Sequence, residues 1–130
     1  MKPEEFAALF PRIRKVITNT FSHTAEHARY RVIIPTTQRL SPKAYEHLYD
    51  GLAAKLKDAG YSVDRGKAKH KPLNGKPRTD LDCSRRTSTS LFYFPAQAKD
   101  PSQSFCECYM ICMFVNRIVC ELSDLYADLS

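Results

Sequence analysis

Four glycines in 130 residues and no tryptophan leave this chain without several familiar functional devices. There is no Gly-rich phosphate loop, no H-E-x-x-H, no nucleophile elbow and no C-x-x-C, so the common nucleotide-loop, zincin, hydrolase and thioredoxin readings fall away. Internal repeats and low-complexity tracts are absent too. No apolar run approaches the roughly 20 residues that cross a bilayer; the most apolar stretch, Tyr109 to Val115, is soon interrupted by Asn116 and Arg117. Glu4 and Glu5 stand where a secretory signal would be basic and then apolar. A cytoplasmic chain with no membrane partner is the expectation.

What remains is an ordinary globular composition, 43% hydrophobic and 26% charged, in a length suited to one domain. Five cysteines, an odd number, four of them crowded at Cys106, Cys108, Cys112 and Cys120, do not make a secreted disulfide framework. Reduced thiols are expected, and the C-x-C-x3-C-x7-C spacing is not that of a zinc ribbon or finger, so zinc is not expected.

Charge is unevenly spread. The net +6 arises because the first 97 residues carry an excess of nine positive charges, whereas the stretch from Ala98 onward holds two basic residues against five acidic. The segment Arg65 to Arg86 contains eight basic residues against Asp80 and Asp82. Such a segment attracts phosphates by counterion release and long-range steering; a solvated, solubilising loop is the bland alternative.

Phe6, Leu9, Phe10 and Ile13 recur at helical spacing, which predicts a helix over Lys2 to Lys15 kinked or shortened at Pro11. Val16 to Phe21 and Arg29 to Ile34 read as strands joined by a loop bearing His23 and His27. Ser41-Pro42 starts a helix, Pro42 to Ala59, that stops before Gly60. Tyr61 to Asp64 reads as a short strand, Lys67 to Arg78 as an irregular basic loop, Leu91 to Phe94 as a buried strand, and Ser104 to Leu129 as helix. The fold class expected from this order is α/β or α+β: a small, mostly antiparallel sheet of three or four strands with two or three helices, in two layers.

Two blocks carry more than pattern. Thr20-Phe21-Ser22-His23-Thr24 is followed by Ala28-Arg29-Tyr30-Arg31-Val32-Ile33-Ile34-Pro35 and then Arg39-Leu40-Ser41-Pro42-Lys43-Ala44-Tyr45. Further on stand Asp82-Cys83-Ser84-Arg85-Arg86 and Leu91-Phe92-Tyr93-Phe94-Pro95. Over roughly Lys2 to Pro95 the chain resembles the archaeo-eukaryotic-type primase-polymerases of phages and plasmids. In that family a strand ends in Ser-His-Thr, an Arg-x-Arg strand ends in proline, and a D-x-S-x-K/R segment precedes an aromatic strand.

The resemblance implies a single domain, with residues 1–97 the primase-polymerase-like part and 98–130 a diverged helical tail. It implies that His23 contacts nucleotide phosphates, that Asp82 is the family's third metal-binding acid, and that Arg29, Arg31, Arg85 and Arg86 lie near phosphate. Arg65, Lys67, Lys69, Lys71, Lys76 and Arg78 would contact nucleic acid. Asp80 and Asp82, two apart on an extended segment, would hold Mg2+ or Mn2+ weakly. The family's acidic pair precedes its first helix, and this chain starts at that helix; Phe21 stands where a small residue is usual and Ser90 where a base is usual. A nucleic-acid- or nucleotide-binding unit that is catalytically inactive alone is therefore expected. A small phage- or plasmid-encoded interaction or inhibitor protein reusing the fold is the alternative. The Cys- and Met-rich C-terminal helix would need cover from a sheet or a second copy, so a homodimer through it is expected.

Overall fold

The computed structural model describes residues 1–64, 70–73, 76–82, 85–87 and 97–109, those of 70–73 and 76–78 by their backbone. They fall into two compact units: one made of Met1–Arg39 with the segment 97–109, the other lying within Leu40–Leu91. Among the described residues the fold is a small α+β one, with a three-stranded antiparallel sheet, a two-stranded ribbon and two α-helices.

The first unit opens with α1, Pro3–Leu9. The helix expected to run to Lys15 ends six residues earlier. Phe10, which precedes Pro11, has φ −126° and ψ 62°, because a residue before proline is pushed out of the α region. Phe6, Phe10 and Ile13 are nonetheless buried as the apolar spacing requires, with the Phe6 and Phe10 ring centroids 4.8 Å apart. Lys15 is buried and donates through Nζ to the carbonyls of Phe10, at 2.6 Å, and Ile13, at 2.9 Å, beneath the Tyr109 ring. Its ammonium thereby gives carbonyls beyond the broken helix a charged donor, that of Phe10 in addition to the Ile13 amide.

Lys15 also begins β1, Lys15–Asn19, the centre of the sheet. On one side β2, Tyr30–Ile33, pairs antiparallel with Val16 opposite Ile33 and Asn19 opposite Tyr30. On the other side Cys106–Tyr109 pairs antiparallel, with Lys15 opposite Tyr109 and Thr18 opposite Cys106. This corrects the helix expected from Ser104. Asp100 accepts from the Ser102 amide at 3.1 Å and hydroxyl at 2.7 Å, capping a 3-10 turn at Pro101–Gln103; the chain then extends to fill the open edge of β1. A strand's stability comes from such pairing, which local periodicity does not report. Residues 110–130 and the strand expected over Leu91 to Phe94 lie outside the described residues.

In the second unit α1's counterpart is α2, Pro42–Asp58, which matches expectation nearly to the residue. The Ser41 hydroxyl accepts from the Ala44 amide at 3.2 Å, and Pro42 is pre-set for the first turn. At the far end Tyr61 N–H returns to Leu56 C=O and Gly60 N–H to Lys57 C=O, a Schellman closure needing the left-handed φ of +91° that Gly60 adopts. Leu48 and Leu56 are its buried residues.

Tyr61 to Asp64 forms no strand. Ser62 is instead tied to Asp80, whose amide donates to the Ser62 carbonyl at 2.8 Å. The basic loop expected over Lys67 to Arg78 contains an antiparallel ribbon: β3, His70–Leu73, pairs with β4, Lys76–Arg78. His70 faces Arg78 and Leu73 faces Lys76, with a bulge between, so Lys71 and Pro72 oppose Pro77. Prolines lack the ladder donor and are tolerated at a bulge. Only Asn74 and Gly75 join Leu73 to Lys76, the dipeptide favoured in two-residue hairpins. The final strand, Cys106–Tyr109, is β5. Among the described residues no helix is long and apolar enough to cross a membrane.

Candidate functional site

His23 sits in the connection between β1 and β2, and its neighbours are fixed on three sides. Thr20 N–H donates to Arg29 C=O at 2.9 Å, His23 N–H to Thr20 C=O at 3.0 Å, and Arg29 N–H to His23 Nδ1 at 3.0 Å. From the segment after residue 97, Lys99 N–H donates to Phe21 C=O and Gln103 Oε1 accepts from Ala25 N–H. Asn19, buried at the end of β1, accepts from Phe105 N–H through Oδ1 at 2.8 Å. Phe105 in turn meets the His23 ring edge-on at 5.0 Å.

His23 as a residue is 8% exposed. Since Nδ1 accepts a backbone N–H, that nitrogen carries no proton and Nε2 bears the ring hydrogen. His23 lines a cleft of about 290 Å³ beside the start of α1, together with Phe105, Lys2, Glu4 and Glu107. Pro3, Ala25 and Ala28 supply small apolar walls.

Arg29 shares the His23 anchor through its backbone. Arg31 does not line the cleft: its register opposite Thr18 places it on the face of Thr18 and Cys106, whereas Glu107 lies opposite Ile17 on the α1-covered face. Tyr109, on the same face as Glu107, donates its hydroxyl to that carboxylate. The bond, with burial and the Glu107 and Glu4 charges adding, pushes the phenol up to about 12.

The remaining expected site residues belong to the second unit. Asp80 Oδ2 accepts from the Ser62 amide at 2.8 Å and hydroxyl at 3.1 Å, while Asp82 Oδ2 accepts from Arg85 Nε at 3.2 Å. The two carboxylates thus serve different partners. Among the described residues no group of three or more His, Cys, Asp or Glu converges. Among the described residues, a Mg2+ ion at this pair would meet these two carboxylates, a weak set for a hard cation.

Arg86 grips Asp50 and also approaches Glu46 at 3.6 Å. Hydrogen bonding from Arg86 holds the Asp50 carboxyl below the usual range, with desolvation opposing it and the charges of Arg86 and His47 adding to it. Tyr45 and Tyr49 donate to the carbonyls of Arg85 and Asp82, at 2.7 and 2.6 Å, docking this segment on α2. Burial raises the Tyr45 phenol, with the Arg85 charge opposing.

Lys71, Lys76 and Arg78 lie on the β3–β4 ribbon. Arg65, Lys67 and Lys69, like Cys83 and Ser84, lie outside the described residues. Sequence reasoning did not single out Glu4, Glu107, Phe105 or Asn19; their spacing carries no motif, and Glu107 stands in a stretch read as helix. Searches against protein-family models, curated proteins and solved structures returned no match, so the site is read from these residues alone.

Proposed function

We propose that this chain is a nucleic-acid- or nucleotide-binding unit of the primase-polymerase kind, from a replication module of a mobile element, and catalytically inactive by itself. The observation that supports the reading is the distribution of charge around the ribbon. Arg65 to Arg78 carries six cationic side chains and no acidic one, and its backbone includes a two-stranded antiparallel ribbon. A β-ribbon is an element that fits a nucleic-acid groove, and an acid-free cationic segment draws phosphate. Arg85 and Arg86 contrast with it, because Asp82, Asp50 and Glu46 balance their charge.

Fluorescence anisotropy with single- and double-stranded oligonucleotides across a salt series tests the reading. Affinity should fall steeply with salt. Reversing Lys67, Lys69 and Lys71 to Glu should flatten the log-log slope by about 2 to 3, since each lost phosphate contact removes roughly 0.7 to 0.9. No binding at the lowest practical salt would instead favour a small interaction or inhibitor protein.

A further inference from the structure

Strand β5 carries Cys106 and Cys108, and both thiols are free and exposed. Free cysteine ranks with the most buried residue types, so two solvent-facing thiols two residues apart depart from ordinary packing. Pairing sets their orientation. Thr18 stands opposite Cys106 and Val16 opposite Cys108, so both project from the face away from α1, whereas Glu107 between them stands opposite Ile17 on the α1-covered face. We propose that this pair is a surface site for one cuprous ion, Cu(I), held in line between the two sulfurs. The site lies within the first unit and is independent of the nucleic-acid-binding reading.

Strand spacing decides among the things that two neighbouring thiols can do. Residues i and i+2 of a strand lie about 6.6 Å apart with their Cβ bonds side by side, while a disulfide needs Cβ atoms roughly 3.5 to 4.5 Å apart. As long as β5 stays paired, the thiols are kept from closing on each other. A metal–sulfur bond is about 2.3 Å long, so an ion in line between two sulfurs spans about 4.6 Å. The thiols meet that span by leaning together, with the backbone left in place.

Ligand number and softness then choose the ion. Zinc takes four ligands in a tetrahedron, and among the described residues no third His, Cys, Asp or Glu joins the pair. Mg2+ and Ca2+ take oxygen ligands. Thiolates select soft ions, and of the soft ions that accept two ligands in line Cu(I) is the biological one. Arg31 shares this face, opposite Thr18 on the far side of β1, where its cation favours the single negative charge of a bis-thiolate complex. Each thiol loses one proton as its S–Cu bond forms, so two protons leave and no electron is transferred.

The test titrates the full chain with Cu(I) alone, anaerobically, against a chromophoric Cu(I) chelator. Cys83→Ser, Cys112→Ser and Cys120→Ser are combined so that only the pair remains, with circular dichroism to confirm folding. The expected result is one copper per chain, with X-ray absorption showing two sulfur neighbours. Affinity should rise with pH by up to about a hundredfold per unit while both thiols are protonated, since two protons are released. Adding Cys106→Ser or Cys108→Ser should each weaken binding by more than the roughly 10- to 100-fold that loss of an outer-shell partner costs. In the wild-type chain one equivalent of Cu(I) should protect both Cys106 and Cys108 from alkylation, read by peptide mass spectrometry, a result that does not depend on any variant folding. Protection of neither thiol overturns the site. So does a folded pair-only chain that binds no copper, or one copper shared between two chains.

Discussion

Arg86 holds Asp50 through two parallel bonds, Nε to Oδ1 at 2.7 Å and a terminal nitrogen to Oδ2 at 2.8 Å, joining the segment after Asp82 to the middle of α2. The fork geometry of guanidinium and carboxylate makes this pair directional even at the surface.

Asp50 should therefore titrate below the ordinary aspartate range, chiefly because Arg86 donates to its charged form. Folding lowers this pKa, so the pair contributes stability at pH values above the unfolded carboxylate's pKa. That contribution is lost as pH falls through the lower folded value. Carboxyl ¹³C titration of wild type and Arg86→Gln checks it: the variant should return Asp50 toward the ordinary value, and an unchanged Asp50 would show that the pair is not formed in solution.

Tyr109 presents the opposite sign. The Glu107 carboxylate accepts from the phenol and favours its neutral form, so ionisation is delayed to about 12. Stability from this bond is complete below the ordinary phenol pKa of about 10 and disappears as pH rises through the folded value. Ultraviolet titration should show a tyrosine ionising only near 12, and Glu107→Gln should bring that transition back toward the ordinary range.

Asn19 is the side chain that holds the His23 loop and β5 to the same strand end, accepting from Phe105 N–H and donating to Thr20 C=O. Asn19→Ala leaves a partly buried amide without its partner and should cost about 1 to 3 kcal/mol in urea unfolding. Phe21→Ser, at a residue 59% exposed, should change stability by no more than about 0.5 kcal/mol. A smaller loss at Asn19 than at Phe21 would show that the loop is anchored otherwise.

Primer synthesis or extension should be undetectable with this chain alone in Mg2+ or Mn2+. Phosphoryl transfer depends on metal ions that neutralise the transferring group, and here Asp80 and Asp82 direct their Oδ2 atoms to Ser62 and Arg85. Template-dependent extension abolished by Asp82→Ala and His23→Ala would overturn this.

Parts of the fold were legible in single residues. Ser41, Pro42 and Gly60 bound α2 because capping hydroxyl, pre-set φ and left-handed glycine act within one turn of chain. The β-branched run Val16-Ile17-Thr18 and the alternation around Val32 marked the two strands that form β1 and β2. The ribbon was half-written: Asn74-Gly75 favours a hairpin, but Pro72 and Pro77 argued for a loop, and the bulge that accommodates them is a property of the pair of strands.

Local chemistry, acting over a few residues, thus determined the caps of α2, the core spacing of Phe6, Phe10 and Ile13, and the concentration of cations before Arg86. Tertiary structure decided what depends on a distant partner. Cys106–Tyr109 is a strand because β1 had an open edge to fill, 87 residues from Thr18 to the Phe105 carbonyl that its hydroxyl reaches. His23 acquires a tautomer and a cleft only when Arg29, Phe105, Glu4 and Glu107 are brought around it. Hydrogen bonds and burial of this kind are properties of positions in space, and no spacing along the chain encodes them.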